Sequence, residues 1–191
     1  FSGGLDTSFC VPYLKEQGYE VHTVMVNTGG FSEAEEKAIE ERALTLGAAS
    51  HKNVNAVDTY YEKGIRYLIY GNILKNATYP LSVSSERVFQ ALEVLNHVKA
   101  LGADAVAHGS TAAGNDQVRF ELAIKAFAPD MHVIAPWREW TIKSREEEIA
   151  YAEAHNVPLK ITRETNYSKD KNLWHLSHEG LDLEDPGNEP Q

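Results

Sequence analysis

The chain has 191 residues, 42% of them hydrophobic and 24% charged, enough apolar material for one domain with a proper core and an appendage. A net charge of −10 with no basic cluster argues against a nucleic-acid partner, and no apolar run approaches the roughly 20 residues that span a bilayer, so no membrane partner is expected. Cys10 is the single cysteine, which excludes an internal disulfide, a cysteine-rich zinc site and a two-thiol relay, and fits a reducing cytoplasm.

The chain opens at Phe1 and enters a glycine turn at once. Such a turn normally follows a buried strand, so the first strand is expected ahead of residue 1. Leu5, Phe9, Val11 and Leu14 suit a helix from Leu5 to Gln17 that Gly18 stops, with a local kink at Pro12. Glu20 to Asn27 is rich in β-branched residues and reads as a buried strand closed by Gly29-Gly30. Ser32 and Glu35 have capping-box spacing for a helix bearing Ala38, Ile39, Ala43 and Leu46. A short strand follows at Ser50 to Val54, then a helix capped by Asp58 with Tyr61, Ile65, Leu68 and Ile69 on its apolar face.

After a polar loop from Gly71 to Leu81, Ser84 is placed to cap a helix with Val88, Leu92, Leu95 and Val98 inward. Asp104 to His108 is a short strand, Gly109 to Gly114 a loop, and Asn115 the start of a helix. Met131 to Ala135 is a strand stopped by Pro136, and Ser144 with Glu147 forms a second capping box for a helix ending at Asn156. The alternation predicts an α/β fold, a doubly wound, mostly parallel sheet with helices on both faces. Beyond Val157 come a brief apolar run and an irregular polar stretch, so residues 1–156 are expected to form one nucleotide-binding domain and residues 157–191 the start of another.

Two strand-to-helix crossings carry the chemistry. The first is Ser2-Gly3-Gly4-Leu5-Asp6-Thr7-Ser8, where paired glycines free backbone N–H groups and the helix terminus adds positive potential, so the segment can cradle an anion. It has no Walker lysine. A carboxylate beside phosphate is tolerable when a divalent cation intervenes, which assigns Asp6 to Mg²⁺; a plain helix cap is the alternative. The second crossing is the run from His108 to Glu121. There Thr111, Asn115, Asp116 and Arg119 offer a hydroxyl, an amide, a carboxylate and a guanidinium suited to zwitterionic amino acids. In an open parallel sheet both loops lie beyond strand carboxyl ends and can meet over one crevice.

The Ser-Gly-Gly-x-Asp-Thr loop resembles that of the N-type ATP pyrophosphatases, and the run from His108 to Glu121 resembles most closely the argininosuccinate synthetases. Tyr79 to Arg87 and Tyr167 to Ser177 resemble two further blocks of that family, in matching order. The resemblance implies a Rossmann-like, adenine nucleotide alpha hydrolase type fold. It also implies ATP on Ser2 to Ser8, Val26, Gly109 and Gly114, and citrulline on Tyr79, Ser84, Asn115, Arg119, Ser168 and Ser177, with Arg87 supporting that pocket. Aspartate falls on Thr111, Asn115 and Asp116, and Asp6 and Asp116 are the catalytic candidates. The implied reaction joins citrulline to aspartate, with ATP converted to AMP and pyrophosphate under Mg²⁺, in a homotetramer.

Two departures from the family pattern stand out. Ala112-Ala113-Gly114 replaces Gly-Lys-Gly and removes a cation, and Asn27-Thr28-Gly29-Gly30 replaces Asn-Ile-Gly-Gln, a change expected to alter adenine or ribose contacts. The rival readings are another ATP pyrophosphatase acting on a related ureido substrate, and a non-catalytic nucleotide-binding module. Cys10 is read as core, His175 and His178 as solvent or packing histidines rather than metal ligands, and Trp137, Trp140 and Trp174 as anchors at seams.

Overall fold

A computed structural model describes residues 1–111, 114–140, 145–155, 157, 168–179, 183 and 185–189. Ala112, Ala113, Ser144, Asn156, Tyr167 and the run from Pro158 to Thr162 lie outside the described residues.

Helix α1 (Leu5–Glu16) starts behind Gly4, an extended N-cap, and runs on through Pro12 for one further turn. Strand β1 (His22–Asn27) pairs in parallel with β2 (Ser50–Asn55), from His22 opposite Ser50 to Asn27 opposite Asn55. Between them α2 (Glu33–Thr45) opens with the expected reciprocal box, Ser32 and Glu35 each bonding the other's backbone N–H. The amino group of Phe1 donates to the Val24 carbonyl at 2.6 Å, so the chain enters alongside β1.

The next helix departs from expectation. Asp58 does not cap it: Ala56 is the N-cap residue, and the Asn55 side chain accepts the Val57 N–H at 3.0 Å. The segment is split into α3 (Val57–Tyr60), a π-helical turn at Tyr61–Ile65, and α4 (Arg66–Tyr70). The wider turn adds a residue and rotates the apolar face, burying Tyr60 and Ile65 while Tyr61 and Ile69 face outward. The polar loop contains a small antiparallel hairpin, β3 (Leu74–Lys75) with β4 (Tyr79–Pro80).

Ser84 is not a cap either, because α5 (Ser82–Leu101) begins two residues earlier behind Leu81. The buried Tyr60 hydroxyl holds that start by donating to the Ser82 carbonyl at 2.8 Å. This start fixes the inward stripe as Val83, Glu86, Ala91, Leu95 and Val98, and leaves Val88 exposed. Strand β5 (Ala105–Ala107) pairs in parallel with β6 (His132–Ile134) across α6 (Asn115–Phe127). Pro136 ends that strand and also begins the short helix α7 (Pro136–Glu139), where its missing N–H costs nothing. Helix α8 (Arg145–Ala154) follows.

The stretch read as irregular holds a hairpin, β7 (Ser168–Lys171) antiparallel to β8 (Leu176–Glu179). Its first strand, Ser-Lys-Asp-Lys, has no apolar alternation to announce it. Two apolar clusters support the sheet pairs: Phe9, Val11, Ala43, Leu46 and Ala152 join α1, α2 and α8, while Ala91, Leu95, Val106, Ala123 and Ile124 join α5, α6 and β5. Cys10 is buried in α1, its thiol pushed up to about 12 by burial, as a core residue should be. No described helix is long and apolar enough to cross a membrane.

Candidate active site

The glycine turn is built from short-range contacts. Gly3 sits at φ +70°, the Ser2 hydroxyl lies 3.4 Å from both the Gly4 N–H and the Thr7 hydroxyl, and the Thr7 hydroxyl donates to the Gly4 carbonyl at 3.2 Å. Among the described residues Ser8 Oγ is buried with no hydrogen-bond partner. Asp6 lies half-buried in the first helical turn. The turn also gains a cation that no sequence signal announced: Arg42, 39 residues away at the end of α2, donates to the Gly3 carbonyl. A shallow recess of about 170 Å³ between the turn and α2 is lined by Ser2, Gly3, Phe31, Glu35, Ile39 and Arg42, among others.

The second loop meets the first directly. A Cβ on Gly109 would stand 2.9 Å from Thr7 Cγ2 and 3.2 Å from its backbone, so the two loops touch where only glycine fits. Helix α7 straps the same edge: Trp137 Nε1 donates to the Asp6 carbonyl at 3.4 Å, and Arg138 Nε donates to Gln117 at 2.9 Å. His108 orients the loop from beneath. Its Nδ1 accepts the Ser110 N–H at 3.4 Å, which leaves the proton on Nε2 to be donated to Glu121 at 3.3 Å. Burial lowers the His108 pKa and favours this neutral form, although Glu121 opposes the shift.

Around the start of α6 the amino-acid candidates come together. Asp116 accepts from Arg119 at 2.7 Å with one oxygen and from Arg87 at 2.9 Å with the other, so it is a positioned acceptor rather than a free base. Arg87 also donates to Asp170 of β7 at 2.9 Å and to Glu86 at 3.2 Å. Burial opposes the Arg87 charge, but Asp116, Glu86 and Asp170 outweigh it and raise its pKa above the ordinary value. One guanidinium thus joins the blocks at residues 79–87, 108–121 and 167–177. The Gly114 N–H closes a turn on the Thr111 carbonyl at 3.2 Å, with Asn115 opening the helix behind it.

The remaining candidates are spread more widely. Val26 is buried in β1, Ser84 lies in the first turn of α5, and Tyr79 stands exposed on the outer hairpin. Ser168 begins β7, and Ser177 of β8 pairs opposite Asp170. His175 is half-buried, His178 is exposed, and no described group of His, Cys, Asp and Glu has the arrangement of a metal site.

A model of the arginosuccinate synthase N-terminal HUP domain matches residues 1–158. The chain belongs to the argininosuccinate synthase family. Curated argininosuccinate synthases match all of it, at 53% identity in Clostridium botulinum (strain Eklund 17B / Type B), 48% in Pelotomaculum thermopropionicum and 46% in Brachyspira hyodysenteriae. The chain covers 47% of each of these proteins, so it spans about half the length of the curated relatives it matches. As a HUP domain of this family it has the expected Rossmann-like α/β fold, to which the β1–β2 and β5–β6 parallel pairs belong.

Reading the sequence missed Glu86, Asp170 and Asn172. All three lie within the family-like blocks at residues 79–87 and 167–177, and Glu86 is also an acid on the inward stripe of α5, which placing Val88 on that stripe hid.

Proposed function

We propose that the protein carrying this chain is an ATP-dependent ligase of arginine biosynthesis, joining citrulline to aspartate through a citrulline adenylate to give argininosuccinate, AMP and pyrophosphate. The observation that carries this reading is the packing of Gly109 on Thr7, which puts the anion-binding turn and the amino-acid loop on one edge of the fold. The ureido oxygen of citrulline attacks the α-phosphorus and expels pyrophosphate. The amine of aspartate then attacks the ureido carbon and displaces AMP.

In this reading the turn amides and the hydroxyls of Ser2, Thr7 and Ser8 bind the departing pyrophosphate, with Val26, Gly109 and Gly114 against the nucleotide. Tyr79, Ser84, Asn115, Arg119, Ser168 and Ser177 hold citrulline, and Thr111, Asn115 and Asp116 hold aspartate, so most of the rate comes from orienting three substrates. Asp6 fits Mg²⁺, since one carboxylate beside a phosphate cradle is a common protein share of such a site, and the ion would neutralise charge on the leaving pyrophosphate. Asp6 and Asp116 are the two catalytic candidates. Residues 1–156 form the nucleotide-binding domain and residues 157–191 begin a second one, in a cytoplasmic homotetramer.

Pyrophosphate release by the full-length protein, with citrulline and aspartate each added or omitted, tests the reading. Release should require citrulline, and argininosuccinate should form only with all three substrates. Release driven by another ureido acid would move the assignment to a related ligase, and ATP binding without release in any mixture would leave a nucleotide-binding module.

A further inference from the structure

Glu86 is a carboxylate only 3% exposed, on a helix face otherwise lined by Val83, Ala91, Leu95 and Val98. A buried charge there is costly unless it is fully bonded. Its first oxygen accepts from the Thr28 hydroxyl and from Gln90 at 3.1 Å; its second accepts from Asn172 at 3.0 Å and from Arg87 at 3.2 Å. Thr28 follows β1, and Asn172 is the corner of the β7–β8 hairpin. One side chain on α5 therefore joins two segments that are 144 residues apart in the chain.

The backbone agrees with the side chains. The Leu173 N–H donates to the Thr28 carbonyl at 2.8 Å, and the Trp174 N–H donates to the Asn172 side chain at 2.9 Å. A Cβ on Gly30 would collide with the Lys171 carbonyl oxygen, and one on Gly29 would stand 2.9 Å from Leu173 Cβ. The Thr28 and Gly30 positions, where the chain departs from Asn-Ile-Gly-Gln, both face this hairpin. One supplies a hydroxyl to Glu86 and the other leaves room for a carbonyl.

We infer that Glu86 is a positioning residue that docks the β7–β8 hairpin on the Thr28-Gly29-Gly30 turn, so that the joining of Thr28, Glu86 and Asn172 sets how Ser177 is presented to the ureido substrate. The part concerning substrate rests on the ligase reading above; the docking itself does not. Loss of Glu86 removes the acceptor shared by the Thr28 hydroxyl and the Asn172 amide and loosens the hairpin, which Arg87 then holds through Asp170 alone, while the glycine turn at Ser2 to Ser8 keeps its own contacts.

Hydrogen exchange and steady-state kinetics on the full-length protein, comparing wild type with Glu86→Leu, Glu86→Gln and Asn172→Ala, test this. In Glu86→Leu the amides of residues 168–179 should exchange at least about tenfold faster while those of α1 and β1 stay protected, the size expected for losing one buried hydrogen bond to a charged group. KM for citrulline should rise about tenfold with KM for ATP nearly unchanged, and Glu86→Gln, which keeps one acceptor, should recover part of both effects. Unchanged hairpin exchange in Glu86→Leu overturns the inference, and so does a loss of protection spread evenly over the domain. If Glu86→Leu does not fold, Asn172→Ala must loosen the hairpin alone, or the inference fails. If wild type releases no pyrophosphate with citrulline, the ligase reading falls while the exchange results still decide the docking.

Discussion

At Gly109 the second loop has no room for a side chain, because Thr7 of the first loop fills the space where a Cβ would stand. Both are backbone-anchored, Thr7 within α1 and Gly109 just after β5, so neither can rotate away. Gly109→Ala should push the loops apart and lower kcat/KM for ATP by about tenfold to a hundredfold, the scale set by small misplacements in a substrate-positioning site. Pyrophosphate release would measure it, with circular dichroism confirming the fold. At this scale the glycine turn was legible, since its shape follows from local backbone geometry at Ser2 to Ser8. Arg42 and Glu86 were not, because each acts on groups 39 or more residues away that nothing local specifies.

The short helix α7 shows how an element with little structure of its own becomes decisive. Four residues cannot hold a helix in water, but Trp140, at its C-terminal end, stacks on Tyr13 at 4.6 Å and on Trp137 at 5.3 Å, and meets Phe9 and Tyr151 edge-on at 5.8 and 5.1 Å. The rings tie α1 to α8, the seam role assigned to these tryptophans. Trp140→Ala removes the centre of that cluster while leaving it partly solvated, so a loss of about 2–4 kcal/mol is expected in denaturant unfolding. Element boundaries were less legible than the elements themselves: Asp58 and Ser84 looked like caps, yet Asn55 and Tyr60 set the helix starts from outside the local pattern. The β7–β8 hairpin escaped notice for the same reason, its order coming from Thr28 and Glu86 rather than from its own polar residues.

For the whole molecule, stability should depend on pH through two imidazoles, the buried His108 and the half-buried His51. Burial lowers the pKa of both His51 and His108 below the ordinary 6.5, against weaker opposition from their hydrogen-bond partners. Below that value the unfolded chain binds protons that the folded chain refuses, so stability is complete above about pH 6.5 and falls as pH drops toward the depressed folded values. Melting followed from pH 7.5 to 5.5 should show Tm declining across that window, and a His51→Gln, His108→Gln variant should flatten the decline. The carboxylates held low, Glu35 and Glu121, lose their contribution only as pH falls through the acid range below about 4.5, which separates the two effects.

Sequence alone settled what short-range physics controls: the strand and helix alternation, the glycine turn ahead of α1, the capping box at Ser32, and the family resemblance carried by contiguous motifs. Tertiary structure decided which of those pieces meet. Gly109 on Thr7, Arg87 between Asp116 and Asp170, and Glu86 between Thr28 and Asn172 each join segments whose approach depends on how all the helices pack at once, and a buried charge is tolerated only where that packing delivers its partners.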